Sequence, residues 1–304
     1  MGKVLVTGAD GFIGRRLCTL LAQRNFEQIK IVHGEHVMQH SVDCWAMHIG
    51  PETDWWGALS DVETVVHLAG IAHCRADEDV YRHVNIEGTA CLARQAVLKG
   101  VRRMIFVSTV QAADPGTNSY ALSKRAAEQE LQKIAAQSAM ELVIIRPTLV
   151  YGAGVKGNLR SLLKWVQYGI PFPVCRPSVE RSLLSLDNLC DVLRFCLESS
   201  SCGGNVFTVC DDRSLCLEEL VDLMAYYLGK RIIQIPLPRT LMQYVGQGLS
   251  FLTQTNGNKL EPLYTSFIAD NSEIKKQLGW QPPFSVEQGI EQMVTNFVNT
   301  KKSL

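Results

Sequence analysis

Short runs of apolar and β-branched residues alternate, through the first half of the chain, with longer stretches whose apolar positions recur at helical spacing. KVLVT (Lys3 to Thr7), IKIV, TVVHLA, RMIFVS and ELVIIR are strand-like, because each is brief and almost continuously apolar. Helix patterns lie between them, such as Phe12, Ile13, Leu17, Leu20 and Leu21 after the first run, and the segment Val80 to Leu98. Strands alternating with helices predict an α/β fold, a Rossmann-type doubly wound parallel sheet covered on both faces. After Arg146 the rhythm loosens, and Pro171, Pro173, Pro177, Pro236, Pro238, Pro262, Pro282 and Pro283 punctuate shorter elements. The predicted division is a domain over residues 1–150 and a smaller C-terminal substrate lobe over 151–304. Strand-like elements of that lobe, such as NVFTV (Asn205 to Val209), are free to return to the main sheet. RTLMQYVGQGLSFLT (Arg239 to Thr253) reads as an apolar helix for lobe packing or an oligomer contact, since it lacks the charged face of a membrane-surface helix.

Composition narrows the picture further. The chain has 304 residues, 46% of them hydrophobic, enough for one large α/β domain or two modest ones. Thirty basic and thirty acidic residues cancel, so no global charge recruits nucleic acid or an anionic membrane. No apolar run reaches the roughly 20 residues that cross a bilayer. The chain opens into a strand rather than a secretion signal, and Val6 stands where myristoylation wants Ser or Thr, so a cytoplasmic protein is expected. Its ten cysteines form no C-x-x-C pair and sit in apolar stretches, as reduced core thiols do. His33, His36 and His40 lack any companion carboxylate or thiol of metal spacing, so they read as solvent-facing loop residues and no metal is expected.

The glycine run TGADGFIG (Thr7 to Gly14) stands where a strand pattern passes into a helix pattern. Gly8 suits the turn out of the strand, Gly11 lets backbone approach a pyrophosphate, and Gly14 lets the helix pack closely on the sheet. The N–H groups at the helix start, around Phe12 and Ile13, then face the phosphates. Much later, Tyr120 and Lys124 of YALSK stand four apart in a segment of helix formers, so both project from one face. A nearby ammonium favours the phenolate, so Lys124 is expected to lower the Tyr120 pKa and prepare it for proton transfer beside a nicotinamide. RRMIFVST ends in Ser108 and Thr109, at the carboxyl end of a buried strand where ligands of open α/β sheets collect.

These residues together resemble the extended short-chain dehydrogenase/reductase superfamily, in its NAD(P)-dependent nucleotide-sugar epimerase, dehydratase and reductase branch. The resemblance covers nearly the whole chain and rests on TGADGFIG, HLAG (His67 to Gly70), VNIEGT, Ser108-Thr109, YALSK, RPTLVYGAGVKGN, RSLLSLDNL and LGWQP. VYGAGVKGN followed by RSLLSLDNL is most similar to the bacterial UDP-glucose or UDP-N-acetylglucosamine 4-epimerase-like group, often tied to O-antigen synthesis. The resemblance implies Gly8, Gly11 and Gly14 at the pyrophosphate and Ala69 and Gly70 beside the adenosine ribose, with Leu68 also at the cofactor. It implies Thr109, Tyr120 and Lys124 as the catalytic set, with Lys124 also on the nicotinamide ribose, Ser108 and Pro147 along the cofactor, and Asn85 holding the active-site helix in shape. Asn158 and Arg181 are implied at the nucleotide-sugar diphosphate or base, and a homodimer is implied as the assembly.

Departures from the family pattern leave alternatives open. Only Val110 to Ser119 separates Thr109 from Tyr120, where relatives carry a longer insertion bordering the sugar. At the end of the second strand His33 is followed by Gly34, with neither the carboxylate that holds an NAD ribose nor an arginine for NADP, so either cofactor fits. The expected activity is 4-epimerisation of a UDP-hexose or UDP-N-acetylhexosamine by hydride transfer at C4. The same residues serve an NAD(P)H-dependent reductase of a UDP-4-keto-6-deoxy sugar, and a non-catalytic dinucleotide sensor would need the glycine turn alone. Arg181 either grips a diphosphate or braces the lobe through Asp187 or Glu180.

Overall fold

The structure is a computed structural model that describes residues 2–34, 38–72, 77–238 and 266–302. In chain order the first elements are β1 (Lys3–Thr7), α1 (Phe12–Gln23), β2 (Gln28–His33), β3 (Met38–Ser41), β4 (Cys44–Met47), β5 (Val62–His67), α2 (Glu78–Tyr81), α3 (Thr89–Leu98), β6 (Arg103–Val107), α4 (Ser119–Ala136) and β7 (Glu141–Pro147). They are followed by β8 (Leu149–Tyr151), α5 (Gly157–Tyr168), β9 (Phe172–Arg176), β10 (Glu180–Arg181), β11 (Leu183–Ser185), α6 (Leu186–Glu198), β12 (Val206–Val209), β13 (Leu215–Cys216), α7 (Leu217–Tyr227) and β14 (Gln234–Pro238). Helices Ser272–Leu278 and Val286–Lys302 come last. The apolar segment Arg239 to Thr253 lies outside the described residues.

The chain divides into two compact units, the first drawn from Met1–Thr148, Leu189–Val209 and Asn271–Gln281, the second from Leu149–Asn188, Cys210–Asp270 and Pro282–Leu304. The first unit holds an 8-stranded sheet in the order β12-β7-β6-β5-β1-β2-β4-β3. Its strands pair in parallel except β3, which runs antiparallel to β4 at the edge. Continuous apolar runs make this possible: every residue of β6 is buried, as a strand covered on both faces requires. The strand Val206–Val209 returns to this sheet beside β7, with Phe207 opposite Ile145. Trp280 of LGWQP is 2% exposed and donates its indole N–H to Asp191 Oδ2 at 3.0 Å, fixing that segment on α6. Arg103 is wholly buried at the start of β6, where its guanidinium binds Glu141 and donates to the carbonyls of Cys196 and Ser199.

Chain order and sheet order reverse at β1, with β2 on one side and β5 on the other. Loops at the carboxyl ends of these strands flank a crevice, the general ligand position of doubly wound sheets.

The second unit is built from short pairs: β10 with β13, β11 with β8, and β14 with β9. Its centre is a buried polar knot in which Asp211 accepts from Tyr151 Oη at 2.8 Å, Asn188 Nδ2 at 2.7 Å and the Ser185 amide. His33 ends β2 and His40 falls within β3, so these two histidines sit on strands rather than loops, and His36 lies outside the described residues. Among the described residues, no group of side chains could hold a metal ion, and no helix is long and apolar enough to cross a membrane. The described cysteines that are free are Cys18, Cys44, Cys91, Cys190, Cys196, Cys202, Cys210 and Cys216.

Candidate active site

β1 leaves the sheet at Thr7, and Gly8 takes the turn with φ +65°, a conformation costly for side-chain-bearing residues. A Cβ on Gly8 would lie 3.1 Å from the Ala69 backbone, and one on Gly14 only 2.0 Å from the Gly8 carbonyl, so helix, turn and the neighbouring strand end meet at backbone distance. Gly11 is the N-cap of α1, with extended backbone and no side-chain cap. The amides that open α1, at Phe12 and Ile13, are therefore left for an anion rather than consumed by a capping oxygen.

Leu68, Ala69 and Gly70 follow β5 on the other side of the reversal. The Thr7 hydroxyl accepts from the Leu68 and Ala69 amides, each at 3.1 Å, and lies 2.8 Å from His67 Nδ1. His67 Nε2 in turn meets Thr89 Oγ1 at 3.0 Å. Burial, and then the charge of Lys124, push the His67 pKa down to about 3, so the imidazole is a neutral bridge between two hydroxyls. A Cβ on Gly70 would come within 3.0 Å of Asn85 Oδ1. Asn85 accepts from the Ile71 amide at 2.8 Å and donates to the Ile71 carbonyl and to Ser123 Oγ, each at 3.0 Å. Ser123 Oγ then donates to the Tyr120 carbonyl at 2.8 Å. Hydrogen bonds thus run from the strand end through Asn85 to the helix that carries the tyrosine.

Asn118 caps α4 by accepting from the Ala121 amide at 3.1 Å. Tyr120 is half-buried, and its ring centroid lies 6.4 Å from that of Tyr81. Burial, with Tyr81 second, raises its pKa to about 12. The expected lowering by Lys124 is therefore corrected: the ammonium is drawn elsewhere. Lys124 is 4% exposed, with Nζ 4.0 Å above the Phe106 ring, and burial lowers its pKa to about 7 against the opposing pull of Glu128. Glu128, itself buried, forms a paired hydrogen bond with Arg146, 3.0 Å to Nε and 2.5 Å to an amino nitrogen.

Ser108 follows β6, and its buried hydroxyl has no hydrogen-bond partner among the described residues. Thr109 opens a short turn, Val110–Ala112, that packs on α4, and among the described residues its hydroxyl makes only a long bond, 3.4 Å, from the Gln111 amide. Pro147 closes β7, and His33 is exposed at the end of β2. Of the residues read from sequence, the first unit joins the glycine turn, Leu68 to Gly70, Asn85 and the helix of Tyr120 and Lys124 by direct contacts. In the second unit, Asn158 lies in the first turn of α5 and Arg181 in β10. Arg181 lies in a strand rather than on a loop, opposite Leu215 of β13; a two-residue strand leaves no periodicity to read. Its guanidinium is half-buried, which lowers its pKa. Ser123 was legible inside YALSK and Glu128 one helical turn beyond Lys124, whereas Tyr81 and Phe106 arrive from other elements and leave no local signal.

The residues present fit a dinucleotide. The glycine cradle leaves no room for a Cβ at Gly14, the helix start is uncapped by any side chain, and a buried hydroxyl at Ser108 lacks a partner among the described residues. A family model, the NAD dependent epimerase/dehydratase family, matches residues 4–210. A UDP-glucose 4-epimerase of Vibrio cholerae is 33% identical over 97% of this chain and 95% of its own length. An N-acetyl-alpha-D-glucosaminyl-diphospho-ditrans,octacis-undecaprenol 4-epimerase of Escherichia coli O157:H7 is 27% identical over 99% and 97%. In fold, the chain superposes on a UDP-glucuronic acid 4-epimerase of Bacillus cereus, solved in complex with NAD, with TM-score 0.78 at 19% identity, covering 98% of this chain and 99% of the other. With its glycine turn, its strand-end hydroxyls and its Tyr-x-x-x-Lys helix in one Rossmann unit, this chain belongs to the NAD dependent epimerase/dehydratase family.

Proposed function

We propose that this protein is an NAD(P)-dependent nucleotide-sugar 4-epimerase acting on a UDP-hexose or UDP-N-acetylhexosamine. The observation that carries the reading is the hydrogen-bonded connection from the Gly8 turn through Thr7, the Leu68–Ile71 segment, Asn85 and Ser123 to Tyr120. It gives the acid–base group of α4 a set position relative to the dinucleotide turn, which a protein that only sensed the dinucleotide would not require. Full-length similarity to a UDP-glucose 4-epimerase supports the substrate class.

When bound, the dinucleotide supplies a hydride acceptor and donor for C4 of the sugar. The chain's own residues do the rest. Tyr120 takes the proton of the C4 hydroxyl and gives it back after the sugar has presented its other face. Thr109, whose hydroxyl is only weakly engaged, donates a hydrogen bond to the C4 oxygen. Lys124 holds the ribose next to the reacting ring. Gly8, Gly11 and Gly14 seat the pyrophosphate, Ser108 and Pro147 border the cofactor, and Asn158 and Arg181 hold the UDP group. His33 at the ribose position accepts either NAD or NADP, because it neither repels a 2′-phosphate as a carboxylate does nor clamps one as an arginine does.

The test is turnover of UDP-glucose and UDP-N-acetylglucosamine with substoichiometric NAD, followed by proton NMR of the C4 epimer. Epimer should accumulate without net reduction of cofactor, and Tyr120→Phe should cut the rate about 10²- to 10⁴-fold while dinucleotide affinity stays within about twofold. Net oxidation of NADPH with a 4-keto substrate, and no epimer, would assign the chain to the reductases; full activity in Tyr120→Phe would remove the tyrosine from the mechanism.

A further inference from the structure

Two segments of the second unit carry only positive charge. Residues 157–176 include Arg160, Lys164 and Arg176, residues 229–238 include Lys230 and Arg231, and neither segment contains a single Asp or Glu. In α5, Leu159, Leu162, Leu163 and Val166 are buried, while Arg160, Lys164 and Tyr168 are exposed and follow one another at four-residue spacing on a single face. The helix stops at Gly169, in the left-handed conformation with φ 66°. Trp165 then donates its indole N–H to the carbonyls of Ile170 at 3.1 Å and Pro171 at 3.3 Å, while its ring meets Phe172 edge-on. The backbone of this corner is pinned, so Ile170, 49% exposed, is held outward.

β14 lies in parallel beside β9, and the Phe172 amide donates to the Ile233 carbonyl at 2.8 Å, which places the approach to β14 two residues from Ile170. Ile233 and Ile235 are 69% and 45% exposed and share a face by strand alternation. Gln234, between them, points the other way, donating to Asp222 and to the Glu218 carbonyl. Lys230 and Arg231 are exposed immediately before these isoleucines, and Arg160, Lys164, Lys230 and Arg231 form no ion pair among the described residues. Exposed aliphatic side chains beside cations, in segments that carry no acid of their own, are what an interfacial surface presents to lipid: the apolar groups enter the headgroup boundary and the long basic stems keep their charges at the phosphates.

We propose that this face of the second unit, formed by the outer side of α5, the Gly169–Pro171 corner and the Ile233–Ile235 stretch, docks reversibly on an anionic lipid bilayer. A second copy of the chain is disfavoured as the occupant, because a two-fold contact would set cations against the same cations. The whole-chain charge sum predicted no attraction to an anionic membrane; it cannot register cations gathered on one face whose balancing carboxylates lie elsewhere. The proposal is independent of which sugar the enzyme turns over.

The experiment is cosedimentation of the full chain with large unilamellar vesicles of phosphatidylcholine, with and without about 30% phosphatidylglycerol, since attraction grows by about fivefold for each Lys or Arg near such a surface. Binding is expected to the anionic vesicles only and to be reversed by high salt, because the attraction falls off within a Debye length. Lys164→Ala should weaken it about fivefold. Ile170→Glu with Ile233→Glu should abolish it, with melting temperature and epimerase rate unchanged, since both side chains are exposed. Equal binding to both vesicle types, no binding to either, or binding that survives the double substitution would overturn the proposal. So would a double variant that leaves vesicle binding intact but converts a dimer to a monomer in light scattering, which would assign the face to a contact between copies.

Discussion

Lys124 is the residue whose two roles conflict most directly. The proposed mechanism wants its ammonium at the ribose, yet the protein buries it over Phe106 and lowers its pKa to about 7 from an ordinary 10.5. The cost to folding follows from the sign of that shift. Below pH 7 the lysine is charged in both folded and unfolded chains, and the folded state bears the full penalty of a buried charge. Between pH 7 and 10.5 the unfolded chain binds the proton and the folded one does not, so stability contributed by this group rises with pH until the penalty is gone. Lys124→Met should therefore raise the melting temperature of the ligand-free protein most at or below pH 7, with a gain that fades toward pH 10.5, while activity is lost. Differential scanning calorimetry across that range checks it; a gain independent of pH would mean that the methionine merely packs better. Tyr120, raised to about 12, belongs to the same trade between burial and chemistry.

At the scale of elements, the feature that assembles the first unit's site is the helix break between α2 and α3. Arg82–Gly88 forms a π-helical turn, a device often found at functional sites. Asn85 sits buried within it and Gly88 closes it against Gly50, where a Cβ would meet the Gly50 amide nitrogen at 3.0 Å. The apolar spacing over Val80 to Leu98 still reads as one helix, because a single wide turn hardly disturbs a 3.6-residue period. The family resemblance assigned Asn85 to shaping the active-site helix. The contacts that let it do so, to Ile71 and Ser123, are known only from the fold. Asn85→Ala strands the Ile71 amide and carbonyl, at a cost of about 1–3 kcal/mol. For a unit of this size that corresponds to a melting temperature lowered by about 2–4 °C per kcal/mol. Dinucleotide affinity should fall as the Leu68–Ile71 segment loosens, measured by isothermal titration. A stability loss with unchanged affinity would make Asn85 a packing residue only.

For the whole molecule, the division into two units separates the residues proposed for the dinucleotide from those proposed for the UDP group. The dinucleotide features all lie in the first unit, and Asn158 and Arg181 in the second. Arg181 is held by strand pairing with β13 and by a parallel bridge to Phe267, so its backbone position does not depend on its guanidinium. Arg181→Ala should then weaken UDP and UDP-sugar binding in parallel by at least tenfold, as expected for loss of a charge-assisted phosphate contact, and leave NAD affinity unchanged. A large fall in melting temperature with unaltered UDP affinity would instead make it a brace of the lobe.

The sequence alone determined the parallel α/β sheet, the glycine turn at its first strand and the shared face of Tyr120 and Lys124, because strand runs, glycine punctuation and four-residue helical spacing are local properties. It also pointed to the return of Val206–Val209, since a β-branched run suits a buried sheet wherever it falls in the chain. Tertiary structure decided everything that depends on who faces whom. Phe106 beneath Lys124, Tyr81 beside Tyr120 and the hydroxyls of Thr7 and Thr89 around His67 come from separate elements, and the burial of Tyr120, with Tyr81 second, reversed the pKa direction that the Tyr120–Lys124 spacing implied. Likewise a neutral charge sum is silent on the exposed cations Arg160, Lys164, Lys230 and Arg231, because summation over a chain discards position.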